Sequence, residues 1–394
     1  MRFTASTILA LTCLLAPAGN LLAAPPPDTV EFRFAPRPGR AIRQRIVTRT
    51  VGATRLPPPL PEMKFTQTFE QELTTTCKHT QPDGSAVMEL VQDRLAIRAS
   101  SGPMSVQIDT RTFDPQQPQD AMTRMMGQVL KAMTGSRITL TLNAAGKPAK
   151  VEGIKEVFDR VVREVKESPG DDWMARATRQ ALGQVFEQLG TVFEDESMLR
   201  QMEAYYRIAP SKPGVFRVGE KWDHEWRMDL PMLASTCTAR GEYELVGIEK
   251  FRGRPCAKIR LKETFSVTSQ PDKEEQTKPS NPLGKLFEQM EFSLQSSSGD
   301  GIAYWDYTDG TLVQLLQTQR ITLDARMPTP ATAPEGRPTE KTDTADTQEP
   351  PPLPGGQLTQ QFTTSISMDL IEDGEESDTL PASETPEPGT QVPG

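Results

Sequence analysis

The chain has 394 residues, with 44 Lys and Arg against 53 Asp and Glu and a formal net charge of −9. This acidic balance argues against a basic surface for nucleic acid, so we predict no nucleic-acid partner. Hydrophobic residues reach only 36% while proline reaches 35 residues, so a sizeable part of the chain is expected to lie in linkers outside any core.

The first residues have the layout of an export signal. Arg2 precedes an apolar run from Ile8 to Leu15, and small residues end the segment at Ala23-Ala24. We predict a signal peptide over residues 1–24 and an extracytoplasmic protein, periplasmic or secreted. No later stretch has the roughly 18 apolar residues that a transmembrane helix needs, so no transmembrane segment is predicted. Lipidation at Cys13 stays open as an alternative.

Residues after the signal alternate between apolar and polar in several places, as in half-buried antiparallel strands. Predicted strands lie at Val30-Phe32-Phe34, Met104-Val106-Ile108, Ala257 to Val267, and Met290-Phe292-Leu294. Helical periodicity predicts three helices: one through Met122, Met126, Val129, Leu130 and Met133, a second through Ile154, Val157, Val161 and Val165, and a third from Asp171 to about Ile208.

Similar segments recur in the same order, which predicts an internal duplication. The stretch Pro38 to Ile42 is echoed by Val218 to Trp222, the turn at Pro82-Asp83-Gly84 by Arg252-Gly253-Arg254, and the turn at Gly146 by Gly310. We predict a first β-rich copy with a Met-rich helix at 25–153, a helical connector at 154–213, and a second β-rich copy at 214–325. The expected fold class is α+β, predominantly antiparallel β.

The last part of the chain combines linkers with one strand pattern. Residues 326–357 are rich in proline and lack aromatic residues, and 373–394 are acidic without a basic side chain, so both are predicted to be disordered. Between them, alternating apolar residues predict a strand in 358–372 that returns to the folded body. The Pro-rich segment is then an insertion in a loop.

Most catalytic chemistries lack their residues here. Only His79 and His224 could serve as imidazole bases, and the sequence has no nucleophile elbow, phosphate-binding loop or zinc-protease motif. Cys77, Cys237 and Cys256 follow the signal without close-pair spacing, and the expected hairpin register argues against a bridge between Cys237 and Cys256. We therefore expect three buried thiols, no cofactor and no metal.

Two groups of residues are candidates for ligand contact. Met122, Met126 and Met133 form a polarisable stripe on the first helix, and Trp222, His224 and Trp226 share one face of a strand. Packing in the core is the competing interpretation for both groups. A stripe of Arg43, Arg45 and Arg49 is interpreted as a solvated face, because Ile46 and Thr48 on the other side are suited to the core.

The segment from Ile208 to Trp222 resembles the P-x-x-P-V-x-V-G-x-x-W segment of a family of secreted bacterial proteins of unknown function. In this chain Gly214 is interposed between Pro213 and Val215. The resemblance covers most of residues 29–325, and the family implies no activity, cofactor or catalytic residue. Its duplicated β-rich build is similar to the half-barrel sheets of periplasmic lipoprotein carriers, an analogy of fold alone.

The sequence thus favours a non-enzymatic extracytoplasmic protein that binds a ligand or associates with the cell envelope. A carrier of a lipid or another apolar ligand is the first alternative, a hydrolase with an unrecognised carboxylate pair is the second, and a surface scaffold is the third. The partner is expected to be an apolar ligand or an envelope component.

Overall fold

The computed structural model describes residues 28–56, 61–117, 119–167, 199, 208–210, 214–230, 235–269, 291–326 and 357–371. The elements within these residues are β1 (Thr29–Phe32), β2 (Ala41–Arg55), β3 (Met63–Thr80), β4 (Ala86–Ser101), β5 (Met104–Asp109), α1 (Ala121–Met133), β6 (Arg137–Leu142), β7 (Pro148–Glu152), α2 (Ile154–Glu167), β8 (Gly214–Arg217), β9 (Lys221–Leu230), β10 (Ser235–Phe251), β11 (Arg254–Ser269), β12 (Glu291–Asp306), β13 (Thr311–Arg326) and β14 (Gln357–Ile371). The predicted signal peptide, Pro-rich insertion and acidic tail, and nearly all of the predicted third helix, lie outside the described residues.

Twelve of the strands form one antiparallel sheet. Its order is β7-β6-β4-β3-β2-β14-β13-β12-β11-β10-β9, and β5 pairs with β4 beside β6. Strands β1 and β8 pair with each other as a separate antiparallel ribbon. The expectation of a predominantly antiparallel β protein is therefore confirmed, with α1 and α2 as the helices among the described residues.

Strand β14 lies in the middle of the large sheet. It pairs with β2 on one side and with β13 on the other along most of its length. Met368 and Leu370, which lie on one face of β14, are buried. The strand therefore joins the β2–β7 part of the sheet to the β9–β13 part, and both neighbours would become edge strands without it.

The sheet contains two runs of consecutive antiparallel strands whose pairings correspond. One run consists of β2, β3, β4, β6 and β7, and the other consists of β9 to β13. The corresponding opposed pairs are Ile42–Thr75 with Trp222–Tyr243, Ala86–Leu142 with Ala257–Trp305, and Leu140–Val151 with Ala303–Leu315. We call the first run the first half of the sheet and the second run the second half.

Two β-bulges recur at the same place in both halves. Lys78 in β3 and Val246 in β10 each lack an opposed residue, and each follows directly on a corresponding pair. Ala149 in β7 and Val313 in β13 also lack an opposed residue. Each directly follows one member of a corresponding pair, Leu142–Pro148 or Trp305–Leu312, near the turn of its hairpin. Because a bulge bends its strand and increases the local twist, the two halves share these bends. Their register agrees as far as Leu73 of β3, beyond which a bulge at Asp93 of β4 has no counterpart in β10–β11.

The turns of two corresponding hairpins, β3–β4 and β10–β11, lie at different distances from the pairs that the two hairpins have in common. The β3–β4 pairing ends at Thr80 and Ala86, whereas β10–β11 continues as far as Phe251 and Arg254. The turn at Pro82-Asp83-Gly84 and the turn at Arg252-Gly253-Arg254 close corresponding hairpins, but they do not occupy corresponding positions.

Helix α1 packs on the first half of the sheet. Asp120 caps its N-terminus, where Oδ1 accepts a hydrogen bond of 2.9 Å from the Thr123 amide. Leu130 of the helix packs in a buried cluster with Leu95 of β4 and Ile108 of β5. Neither helix of the described residues has the length and apolar character needed to cross a membrane.

The three cysteines of the described residues are free and buried, as the sequence predicts. Cys237 lies opposite Val267 and Cys256 lies opposite Glu249, so the register keeps these two thiols apart. Burial raises the pKa of all three thiols, and that of Cys256 rises to about 11. The thiols therefore stay protonated at neutral pH.

Candidate functional site

A cavity of about 330 Å³ lies on one face of the first half of the sheet. This volume is at the lower end of the range of about 300–1,000 Å³ that is usual for small-molecule sites. Most of its lining is apolar and comes from β2, β3, β4, β6, β14, the segment before β2, the end of β12 and the start of β13: Phe34, Ile42, Ile46, Leu73, Cys77, Met88, Leu90, Ile138, Leu142, Trp305, Leu312 and Met368. Residues distant in the chain thus form one apolar chamber.

Residues 33–40, which connect β1 to β2, form one wall of the cavity, and we call them the strap. Two turns hold the strap through glycines with positive φ. A Cβ on Gly146 (φ 75°) would lie 2.8 Å from the Phe34 ring, and a Cβ on Gly310 (φ 63°) would lie 2.5 Å from the Arg33 carbonyl oxygen. The close approach of the strap therefore requires glycine in both turns.

One end of the cavity is charged. Asp309 in the β12–β13 turn lies 2.8 Å from Arg37 and 2.7 Å from Arg40, both of which belong to the strap. Arg254 lies 3.5 Å from the same carboxylate and 3.3 Å from Asp306. Among the residues that the structure describes, Arg37, Arg40 and Asp309 are the charged ones that line the cavity.

Polar side chains in the cavity wall are held by the backbone. The amide nitrogen of Gln44 donates a hydrogen bond of 3.3 Å to the Leu312 carbonyl. Gln92 donates bonds of 2.8 and 2.7 Å to the carbonyls of Glu72 and Arg94. These bonds fix the two side chains, so the described wall has a defined shape before any ligand binds.

The corresponding region of the second half is filled by aromatic rings. Trp222 and Tyr243, an opposed pair of β9 and β10, stack with ring centroids 5.9 Å apart. Phe32 of β1 and Phe216 of β8 pack edge-on against the indole, with centroids at 5.7 and 5.4 Å. The β1–β8 ribbon thus covers a packed core there, whereas the first half has a cavity between Ile42 and Thr75 on one side and the strap on the other.

The structure places the predicted ligand-contact residues in two other parts of the molecule. Met126 and Met133 pack against the buried cluster of Leu95, Ile108 and Leu130. Met122 lies in α1, but its side chain is not among those that the structure describes. Trp222 packs in the aromatic group described above. His224 stacks on Trp226 with centroids 6.3 Å apart, and Trp226 contacts Phe265 edge-on at 6.4 Å. Ligand contact by these six residues stays a prediction.

The prediction of a solvated arginine face on β2 is wrong for Arg45, whose side chain is 18% exposed, and is incomplete for Arg43, whose side chain is 39% exposed but paired with a buried carboxylate. Arg45 lies 2.7 Å from the carboxylate of Glu70, and Arg43 pairs with Glu72, whose side chain is fully buried. Arg94 of β4 contacts both glutamates, at 2.6 and 3.2 Å. The arginines are therefore part of a buried ionic network across β2, β3 and β4, because the strand opposite supplies their counterions.

The network favours the charged form of two of its carboxylates, those of Glu72 and Asp109. Burial alone would raise the pKa of Glu72, but hydrogen bonds from Arg94 and Arg43 and the charge of Arg111 lower it overall. The same balance lowers the pKa of Asp109, whose carboxylate lies 2.6 Å from Arg94. Within the described residues, no group of three or more His, Cys, Asp or Glu is arranged to hold a metal ion.

The fold and the cavity define an antiparallel β protein with a largely apolar cavity between one sheet and a strap. The chain belongs to a family of unknown function, DUF6263, whose model matches residues 83–298. This range contains the segment from Ile208 to Trp222, and the expectation of a family without a known function is confirmed. A comparison with curated proteins gives no match.

Solved structures show distant likenesses. Lipovitellin, from a study of its lipid–protein interactions, is 10% identical with a TM-score of 0.35, and the match covers 85% of this chain and 25% of that one. DynF from the dynemicin biosynthesis pathway of Micromonospora chersina is 8% identical with a TM-score of 0.18, and 89% and 88% of the two chains are covered. OpdQ of Pseudomonas aeruginosa is 6% identical with a TM-score of 0.18, over 84% and 98%. The chain thus spans a quarter of the length of lipovitellin, and these scores carry no argument about function.

Proposed function

We propose that the protein is a non-enzymatic, extracytoplasmic binding protein that holds one small apolar ligand in the cavity of its first half. The observation that carries this proposal is the cavity itself. It has the size of a small-molecule site, its lining is mostly apolar, and side chains fixed by hydrogen bonds define part of its wall.

We further propose that the two halves arose by internal duplication. Three features support this: the common register, the two shared bulges, and a matching turn before the first strand of each half. In that turn Gly39 donates a hydrogen bond of 2.7 Å to the Cys77 carbonyl, and Gly219 donates one of the same length to the Leu245 carbonyl. Corresponding positions can then be compared directly, as between homologous domains.

The comparison indicates that the cavity is a special feature of the first half. Positions occupied by Ile42 and Thr75 in the cavity wall correspond to Trp222 and Tyr243, whose stacked rings fill the second half. Protein interiors are close-packed, so the same fold is able to fill this space with larger side chains. The smaller residues of the first half keep it open.

At three of the carboxylates, the direction of the pKa favours a binding role over a hydrolase. A general acid needs a pKa near the working pH, which burial or a neighbouring carboxylate supplies by raising it. The carboxylates of Glu72, Asp109 and Asp306 instead have lowered pKa values, because arginines or hydroxyl and amide donors hold the charged form. Each of these groups serves as a structural counterion in the proposal.

Export rests on the N-terminal segment and has its own test. The apolar run and the Ala23-Ala24 exit predict that the exported protein begins close to Pro25. N-terminal sequencing of protein isolated from an envelope or secreted fraction checks this. An intact Met1 on all of the protein would contradict export.

The binding proposal is tested by filling the cavity with the residues that fill the other half. We expect wild-type protein to bind N-phenyl-1-naphthylamine, a neutral apolar fluorophore, with a saturable rise in fluorescence. Thr75→Tyr and Ile42→Trp place large rings in the cavity, as Tyr243 and Trp222 do in the second half. Each should weaken binding at least about tenfold, since occupied volume cannot hold the probe.

Thr75→Val is the matched control, because valine has nearly the volume of threonine and should leave binding unchanged. Circular dichroism and thermal melts establish that each variant folds. If the folded Thr75→Tyr protein binds the probe as tightly as wild type, the cavity is not the binding site. If wild-type protein binds no apolar probe, the binding proposal fails.

A further inference from the structure

We propose that the ligand of the cavity is an amphiphilic anion, with an apolar body in the chamber and one negatively charged head group at the Arg37–Arg40 end. The inference rests on the proposed binding function and specifies its ligand. Its basis is the charge at one end of a cavity whose other described lining residues are uncharged.

Positive charge is in excess at this end. Among the described lining residues, two guanidinium groups, from Arg37 and Arg40, meet one carboxylate, that of Asp309. Arg254, which lies outside the lining, pairs with Asp306 and also approaches Asp309. Asp306 is almost fully buried and also accepts hydrogen bonds from the Thr308 hydroxyl and amide, at 2.6 and 2.9 Å. The described lining therefore has one more guanidinium group than carboxylate at this end of the cavity.

Arg37 is the group that is best placed to receive a head group. Its side chain is 68% exposed, while that of Asp309 is 11% exposed. Arg37 lies 2.8 Å from Oδ1 of Asp309 as an ion pair, but the angle is outside that of a hydrogen bond. A guanidinium group has five N–H donors in a planar fork that suits carboxylate and phosphate oxygens. Arg37 can therefore keep its contact with Asp309 and bind a second anion.

The rest of the cavity matches the other end of such a ligand. Ile42, Leu73, Leu90 and Met88 lie on β2, β3 and β4, and none of them carries a charge. Small-molecule sites commonly combine an apolar wall with a few polar groups that set the orientation of the ligand. The arrangement specifies which end of the ligand carries the charge, with the charged end at the strap.

The test compares ligands that share one alkyl chain and differ in the head group. Laurate, dodecyl phosphate, dodecanol and dodecylamine are each titrated, below their micelle-forming concentrations, to displace N-phenyl-1-naphthylamine from wild-type protein. We expect laurate or dodecyl phosphate to bind about tenfold more tightly than dodecanol, and dodecylamine to bind most weakly. Comparison of the carboxylate with the phosphate shows which anion the site prefers.

Variants then assign the preference to Arg37. Arg37→Gln should reduce the advantage of the preferred anion over dodecanol by about fivefold or more, and Arg37→Lys should restore part of it. Arg33→Gln is the matched control, because Arg33 is as exposed as Arg37 but pairs with Glu31 and, although it belongs to the strap, is not among the residues that line the cavity. It should leave the preference unchanged.

The outcomes separate this inference from the binding proposal. Equal binding of all four ligands, or tighter binding of dodecylamine, would overturn the anion inference while the cavity remains a binding site. An anion preference that survives Arg37→Gln unchanged would also overturn it. Binding of neither the probe nor any of the four ligands would contradict the proposed function.

Discussion

Replacing Trp226 with alanine is expected to destabilise the protein by roughly 3–5 kcal/mol. Trp226 is 5% exposed, stacks on His224 and packs edge-on against Phe265. An aromatic side chain buries about 150–250 Å², which corresponds to about 4–6 kcal/mol at about 25 cal/mol per Å². The expected cost is slightly lower, because alanine retains the Cβ and β9 is an edge strand that can relax into part of the space.

The measurement is equilibrium unfolding in urea, followed by circular dichroism and tryptophan fluorescence. Met104→Ala is the control: Met104 is 67% exposed, so its removal should change the free energy of unfolding by no more than about 0.5 kcal/mol. His224→Gln should cost less than Trp226→Ala, because the corresponding position in the first half is Gln44. An unchanged unfolding midpoint for Trp226→Ala would refute the reasoning, since it would mean that the indole has few packing partners.

Three further predictions concern the sheet and its buried groups. Replacing residues 327–356 by an Asn-Gly turn should leave the melting temperature unchanged. Deleting 357–371 should lower the melting temperature strongly, because β2 and β13 lose the strand between them. Equal melting temperatures for the two variants would contradict the role of β14. The folded-state pKa values of Glu72 and Asp109 are lowered, so their contribution to stability is complete above about pH 5 and is lost as pH falls below about pH 4. Urea unfolding across this range should show that the free energy of unfolding falls less with acid in Glu72→Gln than in wild type. The Cys77 thiol should resist a maleimide in the folded protein and react in urea, and mass mapping that finds rapid native-state labelling would show that the cavity opens to reagent.

Much of the secondary structure follows from local pattern. The alternation at Met104-Val106-Ile108 and from Ala257 onward corresponds to β5 and β11, and the methionine periodicity corresponds to α1. These segments are predictable because their pattern depends only on which face of the element itself is buried. Phe34 shows the limit, since it continues the alternation of β1 but lies in the strap.

Contacts between strands that are distant in the sequence could not be predicted from local pattern. The arginines of β2 look like a solvated stripe until Glu70 and Glu72 are known to lie on the adjacent strand, on the same face. Burying a charged side chain costs much less free energy when its counterion lies beside it, and the order of the strands in the sheet determines which counterion that is. The central place of β14 likewise depends on pairing across a long separation in sequence, which local periodicity does not report.

The cavity is the feature most remote from local pattern, because it is formed by side chains that are too small to fill a space. One signal for it was present in the repeat. Aligning Pro38–Ile42 with Val218–Trp222 places Ile42 at the position of Trp222, a large change of volume at one site of a duplicated fold. The partner change, from Thr75 to Tyr243, becomes visible only with the strand register. The tryptophans that suggested ligand contact in the sequence occupy the filled half instead.

The central claim, that the first half of the sheet carries a small apolar ligand, is tested most directly by native mass spectrometry of the protein purified without denaturant from its own cells. We expect a fraction of wild-type protein, and of Thr75→Val, to carry a discrete additional mass that organic solvent removes. Thr75→Tyr protein purified in the same way should lack it. Wild-type protein of unliganded mass only, or the same bound mass on folded Thr75→Tyr, would contradict the claim.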